Sequence, residues 1–365
     1  MLSTQTRIGI VGGGTTGLYL TILLKSRGFD VSLFERAPKP RVDGCGILMI
    51  ASGLQALSLY DTELSNEIIQ AGIKVSRYEF CNLKGDIAFS NSAAETEAAT
   101  GFPAVVVHRE DIAKALLRRI NLENLYFDHS LESVESNNDK VTAKFRNGQS
   151  WEGDLLIGTD GLNSKVRSFV EPEIQPSYLG DIVWRGIMPN NHTFSEGDFV
   201  VYMRAHGVYA NAFNIGQNRC HWGFFIEREQ AEDEKGLPAP QNTQIPPEEF
   251  AKLPDVMRQT IEMTPQENIV CRYSYDINPM QRIVADRVII LGDAAHAKSP
   301  SRAQGMSSGL EDAVVFANYL TSSATVDEAL ATFEKERLPI IHELQLTSRE
   351  MSQKTGRTKK LQTVK

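Results

Sequence analysis

The sequence predicts an α/β fold built on a parallel sheet, with an inserted antiparallel sheet and C-terminal helices. A strand at residues 7–11, a helix at 18–26 and a strand at 30–35 form a βαβ unit. From residue 178 to 228, apolar and polar residues alternate, with aromatics and turns at short spacing, which is typical of an antiparallel sheet. A short apolar strand returns at 287–291 and is followed by helical segments at 309–320 and 326–351.

Length and composition narrow the class of protein. The chain has 365 residues, 41% hydrophobic and 23% charged, and a formal net charge of −8. These values exclude a disordered or fibrous chain, and the negative charge argues against a nucleic-acid partner. No apolar run approaches the roughly 18 residues of a membrane helix. Four cysteines without a C-x-x-C pair, and no signal peptide, predict a cytoplasmic protein without a metal site.

The predicted domains are discontinuous in sequence. Pieces of a nucleotide-binding domain alternate with strands that belong to a second, substrate-binding sheet. We expect the FAD-binding domain at 1–75, 101–175 and 271–325, substrate-domain strands at 76–100, the antiparallel substrate domain at 176–270, and a C-terminal helical segment with a basic tail at 326–365.

A glycine-rich loop follows the first strand. Gly12, Gly14 and Gly17 form G-x-G-x-x-G, which allows a tight turn, close approach of a pyrophosphate and close helix packing. The helix that follows offers free N–H groups and a positive dipole end to phosphates. Glu35 lies 18 residues after Gly17 at the end of the second strand, the position of an acid that binds ribose hydroxyls. Together these features predict a Rossmann-like dinucleotide site.

Two further strand-to-turn segments favour FAD over NAD. Residues 154–167 read DLLIGTDGLNSKVR, and residues 287–312 carry a glycine–aspartate turn just past a buried strand. Asp293 in that turn lies where α/β sheets bind ligands, and its carboxylate suits a ribityl hydroxyl, which NAD lacks. The turn at 304–306 opens another helix, whose N–H groups suit the pyrimidine end of a flavin.

These motifs, in this order, resemble the class A flavin-dependent monooxygenases, the p-hydroxybenzoate hydroxylase-like family. The resemblance covers most of the chain. It depends on the glycine loop at 12–17, the helix start at Arg109, the D-G turn at 160–161 and the G-D turn at 292–293. It implies the Rossmann-like FAD-binding fold of this family with an inserted antiparallel substrate sheet.

The resemblance also implies roles for individual residues. Glu35 and Arg36 would lie at the adenosine ribose, and Arg109 near the pyrophosphate or ribityl chain. The turn from Gly158 to Arg167, with Asp160, would serve FAD and NAD(P)H together. Residues 44–47 and 300–306 would border the flavin ring. The cofactor-binding residues expected in this way are Gly12, Gly14, Thr16, Gly17, Glu35, Arg36, Gly46, Arg109, Asp160, Gly292, Asp293, Pro300, Gln304, Gly305 and Met306.

The flavin loop departs from the family pattern. The usual Gly-Gln-Gly-x-Asn is replaced by Ala303-Gln304-Gly305-Met306-Ser307. If position 303 has a positive φ, alanine costs on the order of 1 kcal/mol there. Arg302 occupies a place that is commonly small or apolar, where it could bind an anionic substrate, hold the ring or point to water.

The chemistry implied by the resemblance is that of a single-component monooxygenase. NAD(P)H reduces FAD, O₂ adds to give a C4a-hydroperoxide, and an oxygen atom is transferred to an aromatic or polycyclic small molecule. A second G-x-G-x-x-G is absent, so NAD(P)H would bind only transiently. The resemblance also implies a monomer or homodimer. The expected pocket lies on the inserted sheet, with half of the candidates on the wrong face: Trp184, Arg185, Tyr202, Arg204, Tyr209, Phe213, Trp222 and Phe224. Arg185, Tyr209, Trp222 and Arg302 are the preferred substrate contacts.

Two other functions stay open from the sequence. A flavoprotein of the same fold could act as a dehydrogenase, reductase or halogenase. The segment 184–189, WRGIMP, keeps part of the halogenase W-x-W-x-I-P frame, but Gly186 and Met188 replace the second Trp and the Ile. A non-catalytic FAD-binding protein is the third hypothesis. The sequence identifies neither the substrate nor a catalytic acid or base, and does not distinguish NADH from NADPH.

Overall fold

A computed structural model describes residues 2–40, 44–137, 139–204, 207–227 and 244–354; the predicted basic tail at 355–365 lies outside them. The α-helices are α1 (Thr15–Ser26), α2 (Ala51–Ser58), α3 (Thr62–Ala71), α4 (Ala94–Thr100), α5 (Arg109–Leu117), α6 (Lys165–Val170), α7 (Pro247–Phe250), α8 (Asp255–Glu262), α9 (Asp293–His296), α10 (Gly305–Ser322) and α11 (Val326–Lys354). Short 3₁₀ helices lie at Leu122–Asn124, Gln266–Asn268 and Pro300–Arg302. Within the described part of the chain, no helix is both long and apolar enough to cross a membrane.

In the part of the chain that the structure describes, the strands form four sheets. They are β1 (Arg7–Val11), β2 (Asp30–Phe34), β3 (Gly46–Met49), β4 (Ile73–Lys74), β5 (Arg77–Cys81), β6 (Ile87–Ser92), β7 (Val105–His108), β8 (Leu125–Tyr126), β9 (Leu131–Ser136), β10 (Val141–Phe145), β11 (Ser150–Gly153), β12 (Leu155–Gly158), β13 (Pro176–Pro189), β14 (Asp198–Arg204), β15 (Gly207–Asn214), β16 (Arg219–Glu227), β17 (Ile269–Ile277), β18 (Val284–Ala285) and β19 (Val288–Ile290).

A six-stranded sheet of order β18-β19-β12-β1-β2-β8 contains the βαβ unit with the glycine-rich loop. Its strands are parallel except for the β18–β19 pair. The predicted βαβ unit is confirmed, although α1 begins at Thr15, three residues earlier than the sequence indicated. Gly14 is the N-cap residue of α1 and has an extended backbone, so the helix begins at the next residue.

A seven-stranded sheet of order β17-β13-β16-β15-β14-β5-β6 forms the second layer. It is antiparallel except where β14 pairs with β5 in parallel. Strands β5 and β6 come from residues 77–92, far from the others in sequence. The last strand, β17, continues to Ile277, so the sheet extends past residue 270, the boundary that the sequence suggested.

The two faces of the seven-stranded sheet have different surroundings. One face, here called the outer face, packs against α8 in a separate apolar core that contains Trp184, Trp222, Phe224 and Met257. The opposite face, the inner face, contacts strand β3 through His221, whose side chain lies against Gly46. Strand β3 belongs with β7 and β4 to a three-stranded sheet between the two main layers. The inner face is therefore the one that meets the nucleotide-binding half.

Candidate active site

The glycine loop has a packed side and an open side. Gly12 has φ +111°, and a Cβ there would lie 2.4 Å from the Thr159 carbonyl oxygen. A Cβ on Gly17 would lie 2.0 Å from the Gly12 carbonyl oxygen, so neither position accepts a side chain. A Cβ on Gly14 would meet nothing within 4 Å. The open side lies at the N-terminus of α1, which has no acidic residue in its first turn and suits a phosphate.

The acid at the end of β2 fixes the shape of this loop. Glu35 is buried, and its Oε2 accepts a hydrogen bond of 2.8 Å from the Gly13 N–H. Its Oε1 accepts one of 2.8 Å from the Ala37 N–H. Glu35 thus lies beside the glycine loop, as the sequence indicated, and supports it. Arg36, the next residue, is exposed.

The second helix N-terminus, that of α10, carries polar atoms without partners. Gln304 caps the helix, and its buried Oε1 has no hydrogen-bond partner; the same holds for the buried Oγ of Ser307. An unpaired buried polar atom costs about 1–3 kcal/mol. Gln304 is partly exposed, so a ligand that binds at this turn would satisfy its oxygen, whereas the Oγ of Ser307 lies against Gly53 of α2. The residues present therefore fit the pyrimidine end of a flavin.

The residues around this turn have the exposure that a ligand site needs. Pro300, Arg302 and Asp293 are exposed, and Gly305 and Met306 are partly exposed. A Cβ on Gly305 would meet only the Oδ1 of Asp293, at 3.8 Å. Asp293 begins α9 directly after Gly292, at the carboxyl end of β19. The carboxylate thus lies next to the α10 N-terminus.

Ala303 is held in the left-handed region with φ +53°. Its N–H donates to the Pro300 carbonyl oxygen at 3.0 Å, which closes the short 3₁₀ helix. The strained conformation considered from the sequence is therefore present. The loop keeps its turn with alanine at a cost on the order of 1 kcal/mol.

The N-terminal turns of α1 and α10 are in close contact, because the residues that face α1 there are glycines. A Cβ on Gly292 would lie 2.9 Å from the Oγ1 of Thr16, and one on Gly309 would lie 2.3 Å from it. Thr16 in the first turn of α1 therefore packs directly on the backbone of α10 and of the turn before α9. This contact brings the glycine loop and the flavin loop together.

A buried network of charged side chains lies behind the flavin loop. The Oδ2 of Asp312 accepts from the Gly292 N–H at 2.9 Å and lies 2.5 Å from His296 Nε2; its Oδ1 accepts from Arg337 Nε at 2.7 Å. Burial alone would raise the pKa of Asp312, but His296 and Arg337 hold it far below its usual range. Lys298 donates to Ser308 Oγ at 2.8 Å and lies 2.9 Å from His296 Nδ1. His296 is therefore a structural residue. The network holds the flavin loop in place from its buried side.

The D-G turn at 160–161 has a structural role that the sequence did not reveal. Asp160 Oδ1 accepts from Ser164 Oγ at 2.5 Å, and its Oδ2 accepts from the Lys165 N–H at 2.7 Å. Burial raises the pKa of Asp160, and these hydrogen bonds oppose the rise. Both carboxylate oxygens thus hold the start of α6. Arg167 is buried and donates at 3.0 Å to the Ala294 carbonyl oxygen, which ties α6 to α9.

Strand β3 and the start of α5 form another side of the candidate site, next to the N-termini of α1 and α10. The Arg109 N–H donates to the Cys45 carbonyl oxygen at 3.1 Å, and its side-chain stem packs on Gly44 while the residue stays exposed. The Gly46 N–H lies 3.3 Å from His221 Nδ1, which accepts its hydrogen bond. Burial, together with the charges of Arg185 and His108, lowers the pKa of His221 to about 3. His221 is thus a neutral acceptor that joins the inner face to β3.

The face alternation corrects the expected substrate contacts. Trp222 is fully buried on the outer face, where its Nε1 donates to Thr264 Oγ1 at 2.8 Å. Tyr209 faces the same core and donates to Glu249 Oε2 at 2.6 Å. These two side chains therefore lie in the core on the outer face and not on the inner face, which is the face that meets the other half of the protein. The outer core also takes Trp184, Tyr202 and Phe224.

The inner face carries other residues. Arg185 and Phe213 are on it, since they alternate with Trp184 and Ala212 of the outer core. Asn211, His221 and Phe225 lie there too, and the sequence analysis missed them. An asparagine, a histidine and a phenylalanine in an alternating strand do not by themselves indicate a site. They can be identified only when it is known which alternate residues of the strand face α8. Arg302 is exposed at the end of the short 3₁₀ helix before α10.

Comparisons with known proteins agree with this geometry. The family model described as FAD binding domain matches residues 5–347, so the chain belongs to this family. Aurachin C monooxygenase/isomerase from Stigmatella aurantiaca is 29% identical over 340 residues, covering 92% of this chain and 86% of that protein. The 3-amino-4-hydroxybenzoate 2-monooxygenase of Streptomyces cremeus is 26% identical over 358 residues, covering 97% and 88%.

The fold is also that of a solved structure. Klebsiella pneumoniae HpxO complexed with FAD and uric acid superposes with a TM-score of 0.86 at 23% identity, covering 96% of this chain and 89% of that chain. The resemblance to the class A FAD-dependent monooxygenases is confirmed, as are the fold, the FAD cofactor and the assignment as an oxidoreductase.

The open side of the glycine loop gives a test of the cofactor site. A Gly14→Ala variant should fold as the wild type does but bind FAD at least tenfold more weakly, because the new methyl group enters the space in front of the α1 N-terminus. Gly17→Ala is the contrasting variant and should lose folding as well, since its Cβ would overlap a backbone oxygen. Titration of apoprotein with FAD, with circular dichroism for folding, measures both. Wild-type affinity in Gly14→Ala would contradict the placement.

The depressed pKa of His221 predicts a pH dependence of stability. The unfolded chain binds a proton at this residue below about pH 6.5, whereas the folded chain does so only near pH 3. The free energy of unfolding therefore falls as pH decreases from 6.5 toward 3. At pH 5 the His221 contribution amounts to about 2 kcal/mol. Urea unfolding of the FAD-saturated protein at pH 7.5 and pH 5 should show this extra loss in the wild type and not in His221→Asn.

The exposed His192 supplies the control, and His192→Asn should keep the wild-type pH dependence. An equal pH dependence in wild type and His221→Asn would show that the imidazole is not held neutral.

Proposed function

We propose that the protein is a single-component FAD-dependent monooxygenase that consumes NAD(P)H and O₂ and hydroxylates or epoxidises an aromatic or polycyclic small molecule. The observation that carries the proposal is the α10 N-terminus, where the buried Oε1 of Gln304 has no partner and Gly305 lies beside the exposed Asp293. The two relatives described above are monooxygenases by name, and one of them acts on an aminohydroxybenzoate.

The residues divide the work as follows. When bound, FAD supplies the redox and oxygen chemistry. The α1 N-terminus at Gly14 holds the pyrophosphate, and Glu35 keeps the loop in shape while bordering the ribose. Asp293 accepts hydrogen bonds from the ribityl chain. The α10 N-terminus stabilises negative charge on the pyrimidine end by its N–H groups and dipole.

The substrate occupies the space between that helix end and the inner face of the seven-stranded sheet. The outer face is closed by the chain's own core, so the inner face is the wall available to a ligand. A wall of packed strands excludes water from the reacting atoms. Arg185 and Arg302 provide positive charge. We also propose a cytoplasmic location and a monomer or homodimer.

The flavin spectrum tests the function. Purified protein should be yellow, and NADH or NADPH in air should bleach it with consumption of oxygen and formation of peroxide. Aromatic substrates should raise the rate of nicotinamide oxidation and replace peroxide by oxygenated product. A flavoprotein that neither nicotinamide reduces would contradict the proposal and favour another redox reaction on the same fold. Product in which halide replaces oxygen would favour the halogenase alternative.

A further inference from the structure

One buried lysine has no part in the reaction proposed above. Lys298 follows α9 in the chain, and only 8% of the residue is exposed. Its Nζ donates to Ser308 Oγ at 2.8 Å and lies 2.9 Å from His296 Nδ1. Lysine is rarely buried to this extent unless partners compensate for the loss of water. The side chain is therefore held in one place by the two groups that it contacts.

The hydrogen bonds of Lys298 lead in one direction, to the first turn of α10. An ammonium group can only donate, so Ser308 Oγ accepts from Lys298 and keeps its own proton for another acceptor. That acceptor is the Gly305 carbonyl oxygen, at 3.1 Å. Gly305 is the first residue of α10, and its carbonyl carbon is bonded to the nitrogen of Met306. A chain of hydrogen bonds that starts at a cation polarises this peptide and makes the Met306 N–H a stronger donor.

The positive charge of Lys298 is balanced by acidic groups around it. His296 faces Asp312 through Nε2, at 2.5 Å, so its Nδ1 is left to face Lys298. Burial lowers the pKa of Lys298, with a smaller contribution from Arg337, and three carboxylates oppose the fall: Asp293, Asp312 and Glu311. Because three carboxylates surround a single guanidinium, a positive charge on the lysine brings this region closer to neutrality.

The N–H groups at the start of α10 are open to a ligand. The helix has no side-chain cap, and the N–H groups of a first turn have no partners within the helix. Gly305 and Met306 are partly exposed. The pyrimidine end of a flavin is neutral when the flavin is oxidised and carries negative charge when it is reduced. A cation linked to this turn therefore favours the reduced form more than the oxidised form.

We propose that Lys298 is a positioning residue for the flavin, which acts through Ser308 on the N–H groups at the start of α10 and makes bound FAD easier to reduce. The inference rests on the flavin lying at the α10 N-terminus, as in the proposed function, and on no property of the substrate. At an effective dielectric constant of about 20, unit charges about 10 Å apart attract strongly enough to shift an equilibrium more than tenfold.

Removal of the charge tests the proposal. Lys298→Met keeps most of the length of the side chain, and His296 cannot take over the charge, because a proton on its Nδ1 would face an apolar group. At a fixed potential, the ratio of reduced to oxidised bound FAD should fall at least tenfold, which is about 30 mV for a two-electron couple. The affinity for oxidised FAD should fall at most threefold. The potential is measured without oxygen against dyes of known potential, with no nicotinamide or substrate present, and the affinity by titration of apoprotein.

Three further variants separate the charge from the packing. Lys298→Arg keeps the charge and should keep the ratio within threefold of the wild type. Ser308→Ala keeps the lysine but breaks its link to Gly305, and should lower the ratio at least twofold. Lys144→Met is the matched control, because it removes the charge of an exposed lysine on β10 and should leave the ratio unchanged.

Several results would overturn the inference. They are an unchanged or raised potential in Lys298→Met, an equal fall in Lys298→Arg, or equal weakening of oxidised and reduced FAD, which a purely structural lysine predicts. If neither lysine variant folds, a wild-type potential in Ser308→Ala overturns it and a lowered potential supports it. Nicotinamide-dependent oxygen consumption is measured separately on the wild type. A lowered potential in Lys298→Met, in a protein that neither NADH nor NADPH reduces, supports the inference and contradicts the proposed reaction.

Discussion

The buried carboxylate of Asp312 holds together the parts of the chain on which the site depends. It accepts hydrogen bonds from the Gly292 backbone, before α9, and from Arg337 of α11, and it pairs with His296. A buried charge is tolerated only when it is paired and fully hydrogen-bonded, and these partners meet that condition. Asp312 thereby joins the turn before α9, α9 itself and α11 to α10, which leads from the flavin loop.

The contact between Thr16 and the two glycines adds a geometric constraint to that electrostatic one. With no Cβ on Gly292 or Gly309, the N-termini of α1 and α10 approach within van der Waals distance. Two helix N-termini are thereby held close together, and each favours a negatively charged or electron-rich group of a ligand. A dinucleotide with its central pyrophosphate at the α1 N-terminus and its flavin ring at the α10 N-terminus would match this arrangement.

Local patterns in the sequence predicted the cofactor half well and the substrate half poorly. The strand, glycine loop, helix and Glu35 lie within 35 consecutive residues, so their relation follows from short-range geometry. The face of each strand in the inserted sheet depends on register, and bulges interrupt it at Tyr178/Ile182 and Tyr202/Met203. A shift of one residue exchanges the two faces. Trp222 and Tyr209 were predicted as substrate contacts because they are aromatic, but both side chains face the core that packs against α8.

Other features could not be read from the sequence because they join distant residues. Asp160 looked like a ligand-binding turn residue, but its oxygens cap α6 through Ser164 and Lys165. Lys298 and Arg337 gave no pattern, and their roles come from a network that spans α9, α10 and α11.

The most direct measurement is a crystal structure of the protein with FAD bound. The account places the pyrophosphate at the N-terminus of α1 beside Gly14, and the flavin ring between residues 300–306 and the inner face of the seven-stranded sheet. Gln304 should then have a hydrogen-bond partner on the cofactor. A ring bound away from the α10 N-terminus, or Gln304 still unpaired in the complex, would contradict it.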